Sequence, residues 1–366
     1  MSKKIYTFDY EKEIWSLLGL FESKKYVKQK LKNKFPEIPK ENLEYRTEKL
    51  TYCIRQAREF FESANKISLL TSPLLLSYGM LNLAKALVYY KESVETNFNN
   101  YFNRHGLSVP ENEELDSFSK ETVELKENGT YPQMVSTYSK SSYSDCSINT
   151  KEILSQIPDL YELFVYIYNE PPNVIPLKSI DYGYNISTGD YYDKIAEKLQ
   201  NTREVLELKG YQFTHYRQNI NVTRFASAEK DLKQLGLIFE SISGKKYIRF
   251  PIIKENSPLL LNENSLHYLL VFCYGMLARY QAAKWGSYID PNISKEAEII
   301  NKSIHVSRRK FQHFIIDCLF EENFEFVFSV GQKKRSKEEL LDLLYDDFKE
   351  QIFRDITNEL RRKGLF

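Results

Sequence analysis

The sequence predicts a mainly α-helical protein built around a bundle of apolar helices. Three observations support this fold class. Gly and Pro are scarce, at 13 and 12 of 366 residues, which disfavours a turn-rich all-β fold. Residues 69–90 are apolar almost all round, as expected of a helix buried on several sides. Elsewhere, apolar residues recur with the spacing of amphipathic helices.

The N-terminal part is predicted to supply the first helices of the bundle. Helical periodicity covers residues 9–34 and ends at the prolines that follow. A second helix is expected at 42–64, where an apolar stripe lies opposite Arg and Glu residues. In the third helix, at 69–90, Ser72 is placed at the N-cap. Pro73 then takes the first helical position, where its missing N–H is not needed.

The middle of the chain is predicted to be less regular. Residues 92–150 are polar and are expected to form a loop, which a helix at 152–168 follows. The β-branched and aromatic runs TRFAS and KKYIRFPII predict strands, and a charged helix is expected at 190–208. The chain is therefore divided into an N-terminal helical part at 1–172, a small α+β insertion at 173–260 and a C-terminal helical part at 261–366.

Helices are predicted again after the insertion. They cover 264–285, 294–319 and an amphipathic C-terminal helix at 337–362. The bundle core is expected to consist of four of the predicted helices, namely 42–64, 69–90, 264–285 and 294–319.

Two of these core helices share the motif YGML, at 78–81 and 274–277. Similar packing requirements explain this likeness more simply than an internal duplication. A glycine inside a helix costs about 1 kcal/mol relative to alanine, so Gly79 and Gly275 need a packing reason. They predict that the two helices approach each other closely.

Charge and cysteine content exclude several classes of protein. With 51 basic and 50 acidic residues, the chain has no overall field that would draw it onto nucleic acid or an anionic membrane. Four dispersed cysteines without a CxxC pair support neither a zinc site nor a disulfide framework. No secretory signal and no membrane span is found. A cytoplasmic protein without membrane, metal or cofactor is expected, and RNA contact would need the local basic patches at 24–34, 308–310 and 333–337.

The first candidate site is the pair Arg308 and His313, which has the Arg-x4-His spacing of HEPN-type ribonucleases. In that metal-independent chemistry a histidine moves the 2′-hydroxyl proton and an arginine neutralises charge on the scissile phosphate. A straight helix places the two side chains about 140° apart. They could converge only near a helix end or across a dimer interface, and a solvent-facing helix surface is the simpler interpretation.

The second candidate site consists of polar residues inside the buried helices. They are Asn82, Lys85, Arg279, Tyr280 and Trp285. A buried Lys or Arg needs a partner, because an unpaired charge in a low dielectric is costly. Either these residues form a pocket for a small anionic ligand, or the charges reach the surface or pair with Glu59 or Glu62, which is the simpler interpretation. His267, on an apolar helix, is predicted to be a hydrogen-bonded core histidine.

Four segments in a fixed order carry a family resemblance. They are LFES at 20–23 after a Trp-containing helix, SPLLLSYGMLNLAKALV at 72–88, LLVFCYGMLARYQAAKW at 269–285 and SRRKFQHFIIDCL at 307–319. Together they resemble the YaaC-like proteins, a bacterial family of poorly defined activity, over about half the chain. The resemblance implies a partner-dependent role, since such proteins often occur beside defence or mobile-element genes. Residues 72–88 also resemble the second HEPN helix, which implies a HEPN-like bundle core.

One departure from the YaaC-like pattern concerns the nuclease hypothesis. Proline tends to follow Arg-Lys-Phe in that pattern, whereas this chain has Gln312, and nothing requires the histidine that comes next. The sequence therefore predicts an accessory or sensor protein that acts through a protein partner, as a homodimer or through a small anionic ligand. The alternative is a HEPN-like endoribonuclease that uses Arg308 and His313.

Overall fold

The structure is a computed structural model that describes residues 3–93, 98–112, 116–139, 145–180, 183–187, 193–197, 212–216, 219–223, 237–254, 257–259 and 261–328. Its helices are α1 (Tyr10–Gly19), α2 (Lys24–Lys34), α3 (Lys40–Ala64), α4 (Ser72–Lys91), α5 (Asn99–Phe102), α6 (Thr130–Ser136), α7 (Thr150–Leu154), α8 (Tyr161–Tyr168), α9 (Glu263–Tyr280), α10 (Ala282–Ile289) and α11 (Ala297–Phe320).

The strands are short and form several small sheets. They are β1 (Lys3–Thr7), β2 (Leu107–Ser108), β3 (Thr122–Leu125), β4 (Cys146–Asn149), β5 (Val174–Ile180), β6 (Gly183–Ser187), β7 (Gln212–Tyr216), β8 (Asn219–Thr223), β9 (Ile238–Glu240), β10 (Lys246–Arg249), β11 (Ile252–Lys254), β12 (Ser257–Leu259) and β13 (Phe324–Phe328). The predicted fold class, mainly α, is confirmed at this level.

The core of the larger unit, residues 15–321, is the predicted four-helix arrangement. Helix α4 packs against α3, α9 and α11, and α9 also packs against α11. Because α4 has neighbours on several sides, most of its residues are buried, which explains why its sequence is apolar all round. The helix bundle predicted from periodicity is therefore confirmed.

The start of α4 differs from the prediction. The helix begins at Ser72, after Thr71, and no side chain caps its N-terminus, so the N-cap assignment of Ser72 is wrong. The backbone N–H of Ser72 donates to the carbonyl of Ser68 at 2.9 Å, within the turn that leads into the helix. Pro73 lies in the first turn, where a missing N–H leaves no bond unmade.

Three long predicted helices are interrupted. The 9–34 segment breaks at a 3₁₀ turn, Leu20–Glu22, and Ser23 then caps α2 by accepting the N–H of Tyr26. The 152–168 segment is divided into α7 and α8 by a 3₁₀ turn that begins at Pro158, because proline lacks the N–H that a continuous helix requires. The 264–285 segment ends as α9 at Tyr280, and Gln281 leaves helical geometry before α10.

The prediction of a loop at 92–150 is wrong in part. Its described residues include α5, α6 and a three-stranded antiparallel sheet in the order β2–β3–β4. Val123 and Leu125 of β3 and Ile148 of β4 are buried, and they alternate with more exposed neighbours. That alternation is the period of a half-buried strand, and the polar residues between the apolar ones concealed it.

A six-stranded antiparallel sheet covers much of the segment predicted to be α+β. Its strand order is β7–β8–β6–β5–β10–β9, and its buried core includes Ile175, Ile186, Ile220 and Ile248. KKYIRFPII contains β10 and most of β11, which confirms that prediction. Of the predicted 190–208 helix, residues 193–197 are described and helical. Only Thr223 of TRFAS is described, and it ends β8.

The smaller unit comprises the described residues 3–14 and 322–328. In it, β1 pairs in parallel with β13, and the Tyr10 ring packs edge-on against Phe326. The C-terminal helix predicted at 337–362 and the basic patch at 333–337 lie outside the described residues. The three-part division at 172 and 260 stays a prediction. No helix in the part of the chain that the structure describes is long and apolar enough to span a bilayer.

The paired glycines of the YGML motifs have different neighbours. A Cβ atom on Gly275 would lie 2.8 Å from the Cβ of Ser77 in α4, so α9 and α4 do approach closely there. A Cβ atom on Gly79 would instead lie 2.8 Å from the ring of Phe61 in α3. The predicted close approach is thus confirmed for Gly275 and wrong for Gly79.

Candidate ligand-binding site

A cleft opens beside the close contact of α4 and α9, and we name it the Tyr78–Arg279 cleft. Each helix lines it with residues at the i, i+3, i+4, i+7 spacing of one helical face. On this face α4 contributes Leu74, Ser77, Tyr78 and Leu81, and α9 contributes Phe272, Gly275, Met276 and Arg279. Met80 of α4 and Tyr268 and Val271 of α9 complete the helical lining. The cleft has a cavity volume of about 30 Å³ and is partly open to solvent, and His105 lies at its wall.

A single hydrogen bond links the two helices across the cleft. Nη1 of Arg279 donates to the hydroxyl of Tyr78 at 2.8 Å. The Tyr78 ring is held by stacking on Phe60 of α3, with ring centroids 5.7 Å apart. On its other side, the Arg279 guanidinium lies over the Tyr280 ring at 4.8 Å. The cation is therefore held in place by a hydrogen bond and an aromatic face.

Positive charge is concentrated around His105. Its ring packs against Phe272, with centroids 5.5 Å apart. Although His105 is exposed as a residue, partial desolvation of its ring lowers its pKa below the ordinary value, and the positive charges of Lys85 and Arg279 lower that pKa further. Lys85 is half-buried and lies over the Phe102 ring at 5.6 Å. Among the described residues, neither Lys85 nor Arg279 forms an ion pair with a carboxylate.

Comparison with known proteins places the chain in a family. The family model described as YaaC-like Protein matches residues 19–319, which include every residue that lines the cleft. The chain belongs to the YaaC-like family. No curated protein matches it, and no solved structure matches it. The resemblance to HEPN domains is not shown by any of these comparisons.

The residues predicted for ligand binding in this YaaC-like protein are only partly brought together. Arg279 lines the cleft, and Lys85 lies close enough to act on His105. Asn82 donates its side-chain amide to the carbonyl of Tyr78 at 3.1 Å, one turn back on the same helix. Of the two structural alternatives, pairing with Glu59 or Glu62 does not hold, since neither ion pair forms in the described structure. The other alternative, that the charges reach the surface, holds for Arg279, which is exposed, while Lys85 is half-buried.

Two aromatic residues from the same prediction lie elsewhere. Tyr280 is 54% exposed and supports Arg279 from outside the cleft. Trp285 is fully buried in α10, where its indole N–H donates to the carbonyl of Leu69 at 3.3 Å. The break at Gln281 turns the chain away from the α9 face, so Trp285 belongs to the core.

Sequence reasoning identified Arg279 alone among the residues that line the cleft, and the polar residues that it missed include Ser77, Tyr78 and His105. Ser77 and Tyr78 lie in an apolar helix, and the turn spacing Leu74–Ser77–Tyr78–Leu81 is the signal that could have identified their shared face. His105 comes from a segment predicted as a loop, and nothing in its local sequence indicates proximity to α9.

The predicted nuclease pair lies within α11, which is continuous from Ala297 to Phe320. Arg308 and His313 are both well inside this helix, so they lie about 140° apart around its axis and about 7.5 Å apart along it. Nε2 of His313 lies 3.7 Å from the carboxylate of Asp317, one turn further on. The helix therefore does not bring Arg308 and His313 onto one face.

A buried polar network surrounds His267. Its Nδ1 lies 2.9 Å from the hydroxyl of Ser307, which confirms a hydrogen-bonded core histidine. Its Nε2 lies 3.7 Å from Glu263, and Lys310 approaches the same carboxylate at 3.2 Å. Burial acts to raise the pKa of Glu263, but Lys310 and His267 outweigh it and hold the pKa below its ordinary value. This network lies in the core and ties α9 to α11.

Proposed function

We propose that this YaaC-like protein is a sensor that binds a small anionic ligand in the Tyr78–Arg279 cleft. One observation carries the proposal: Arg279 and Lys85 both act on His105 at the wall of the cleft, and neither has a carboxylate partner among the described residues. Uncompensated positive charge at a concave surface attracts anions. Because the cleft lies between α4 and α9, two helices of the bundle core, a bound ligand would contact both of them.

The chemistry of the three groups suits an anion. An arginine has five N–H donors in a planar fork that matches the oxygens of a carboxylate or a phosphate. One Arg279 nitrogen donates to Tyr78, so the hydroxyl fixes the orientation of the fork. His105, whose pKa is lowered, is neutral at pH 7 and can donate one further hydrogen bond. Lys85 does not line the cleft but contributes to its positive electrostatic field.

The test measures binding and stabilisation together. The wild-type protein is titrated calorimetrically and by thermal unfolding with sodium phosphate, sodium hexanoate and AMP at one ionic strength. An anion at ten times its dissociation constant should stabilise the fold by about 1.4 kcal/mol. Arg279→Gln should abolish this effect. Lys302→Gln, which removes an exposed cation from α11 outside the cleft, serves as the matched control and should bind like wild type.

Two results would contradict the proposed function. One is that none of the three anions binds the wild-type protein. The other is that Arg279→Gln binds as tightly as wild type and Lys302→Gln, which would place the binding site elsewhere.

The endoribonuclease alternative stays a prediction, and its two residues lie about 140° apart around the axis of α11. Incubation of RNA with wild type and His313→Ala, each with and without EDTA, tests it directly. Metal-independent cleavage that the substitution abolishes would support the alternative, whereas equal behaviour of the two proteins would eliminate it.

A further inference from the structure

The walls of the Tyr78–Arg279 cleft have a polar end and an apolar body. The polar end is made by the hydrogen-bonded pair Tyr78 and Arg279, whereas His105 lies against Phe272. The body is made mainly by aliphatic, aromatic and thioether side chains, including Leu74, Leu81, Val271, Phe272 and Met276. An anion that fills such a site must itself be amphipathic, with its charge at one end.

The polar end has one formal charge in the wall. Arg279 is the only Lys or Arg among the described residues that line the cleft. A single guanidinium fork pairs with one carboxylate, whereas a phosphate dianion would leave charge without a partner in the wall. The geometry of the wall therefore favours a monoanion.

The body of the cleft offers few groups that could recognise a nucleobase or a sugar. Besides Tyr78, His105 and Arg279, only Ser77 and Tyr268 among the lining residues bring a hydroxyl, and that of Ser77 donates to the carbonyl of Leu74 at 2.8 Å. A nucleotide would therefore bring many donors and acceptors that find few partners on the described walls. A hydrocarbon or an aromatic ring brings no such groups.

Resting on the function proposed above, we propose that the ligand is an organic monocarboxylate with a short apolar body. Its carboxylate accepts from the Arg279 fork, with Tyr78 orienting that fork. Its body lies between the α4 and α9 stripes, where Met276 adapts to its shape because the thioether chain is flexible and polarizable. The contact of Gly275 with Ser77 limits the depth of the site, so long acyl chains do not fit.

The test is a homologous series of straight-chain carboxylates, acetate, butyrate, hexanoate and octanoate, titrated calorimetrically into the full-length protein. Burial of one methylene strengthens binding by about fourfold. Affinity should therefore rise about fourfold per methylene from acetate until the body is full, and then level off. Hexanamide, which has the same body without the charge, should not bind measurably.

Two variants identify the contacts. Met276→Gln keeps the length of the side chain but makes the wall polar, so it should flatten the chain-length dependence while acetate binding is retained. Arg279→Gln should abolish binding of every acid, and Lys302→Gln should change nothing. Thermal unfolding of each variant without ligand shows whether the fold is kept.

The outcomes separate this inference from the proposed function. If phosphate or AMP binds through Arg279 and the carboxylates do not, the ligand class is wrong while anion binding stands. A series with equal affinity at every chain length also overturns the ligand class. If no anion binds, or if all variants bind like wild type, the inference and the proposed function both fail.

Discussion

Removal of the guanidinium of Arg46 should destabilise the fold strongly, because this side chain caps the C-terminal end of α4. Arg46 lies in α3 and is fully buried. Its Nη1 donates to the carbonyl of Glu92 at 2.8 Å, and its Nη2 donates to the carbonyl of Ser93. The guanidinium also lies 4.9 Å from the Phe98 ring. It thus satisfies carbonyls that the helix leaves without partners.

The expected size of the effect follows from these contacts. Arg46 also donates from Nε to Oδ1 of Asn42 at 2.9 Å, but the two charged hydrogen bonds to the carbonyls of Glu92 and Ser93 are the main contribution, at about 1.5 kcal/mol each. The aromatic contact contributes about 0.5–1 kcal/mol, and the favourable position at the helix C-terminus contributes about 0.5 kcal/mol. Relief of a desolvated charge offsets about 1 kcal/mol of this when Arg46 is replaced. Arg46→Met, which keeps the apolar stem in place, should therefore lower the free energy of unfolding by about 3 kcal/mol.

Urea unfolding followed by tryptophan fluorescence measures this loss, since both tryptophans, Trp15 and Trp285, are buried in the larger unit. The matched control is Arg55→Met on the same helix, where an exposed arginine donates to the carbonyl of Glu22. It should cost no more than about 0.5–1 kcal/mol. Equal losses for the two variants would refute the reasoning, because they would show that the capped carbonyls find other partners.

Three further predictions concern titratable groups. Lys310→Met should lower the free energy of unfolding by about 3 kcal/mol, because it leaves Glu263 and Asp159 largely buried without their shared cation. In a double-mutant cycle with Glu263→Gln, the double variant should lose less stability than the two single losses added together. Additive losses would contradict the shared ion pair. The ion pairs with Lys34 and Lys91 lower the pKa of Glu321 to about 2. The stabilisation of the fold by this carboxylate is therefore complete above about pH 4.5 and is lost as the pH falls through 2. Urea unfolding of Glu321→Gln should show a small, salt-sensitive loss of stability at pH 7, which shrinks as the pH falls from about 4.5 to 2. A loss of stability that does not depend on pH would contradict this prediction. Because partial desolvation and two cations lower the pKa of His105, a bound anion should raise that pKa again, so hexanoate should bind more tightly as the pH falls from 7 towards it. Calorimetry on His105→Gln should give an affinity that does not change over this pH range, and a wild-type pH profile in the variant would disprove the link.

Much of the helical framework could be predicted because it depends on local patterns. The apolar stripe of α3 and the all-round apolarity of α4 are properties of consecutive residues, and each is sufficient to indicate a buried helix. Helix interruptions were harder to predict. Gln281 has no strong intrinsic preference against helix, so the break after α9 depends on packing rather than on sequence.

The candidate site was predictable only in part. Arg279 and Lys85 can be recognised in the sequence as charged residues in apolar helices, and both contribute to the positive electrostatic field of the cleft. The groups that surround these charges cannot be recognised in the sequence, since Tyr78 is one of 27 tyrosines and lies 201 residues from Arg279. His105 could not be connected to them because local sequence says nothing about which loop returns to which helix.

The two YGML motifs separate features that depend on local sequence from features that depend on packing. Local apolarity is enough to place both copies in buried helices. The tertiary structure decided which face each copy turns to its neighbours. In α4 the motif presents Tyr78 to the cleft and Gly79 to α3, whereas in α9 it presents Gly275 and Met276 to the cleft. A helix that is apolar all round has no preferred face of its own, so its rotation depends on the helices that pack against it.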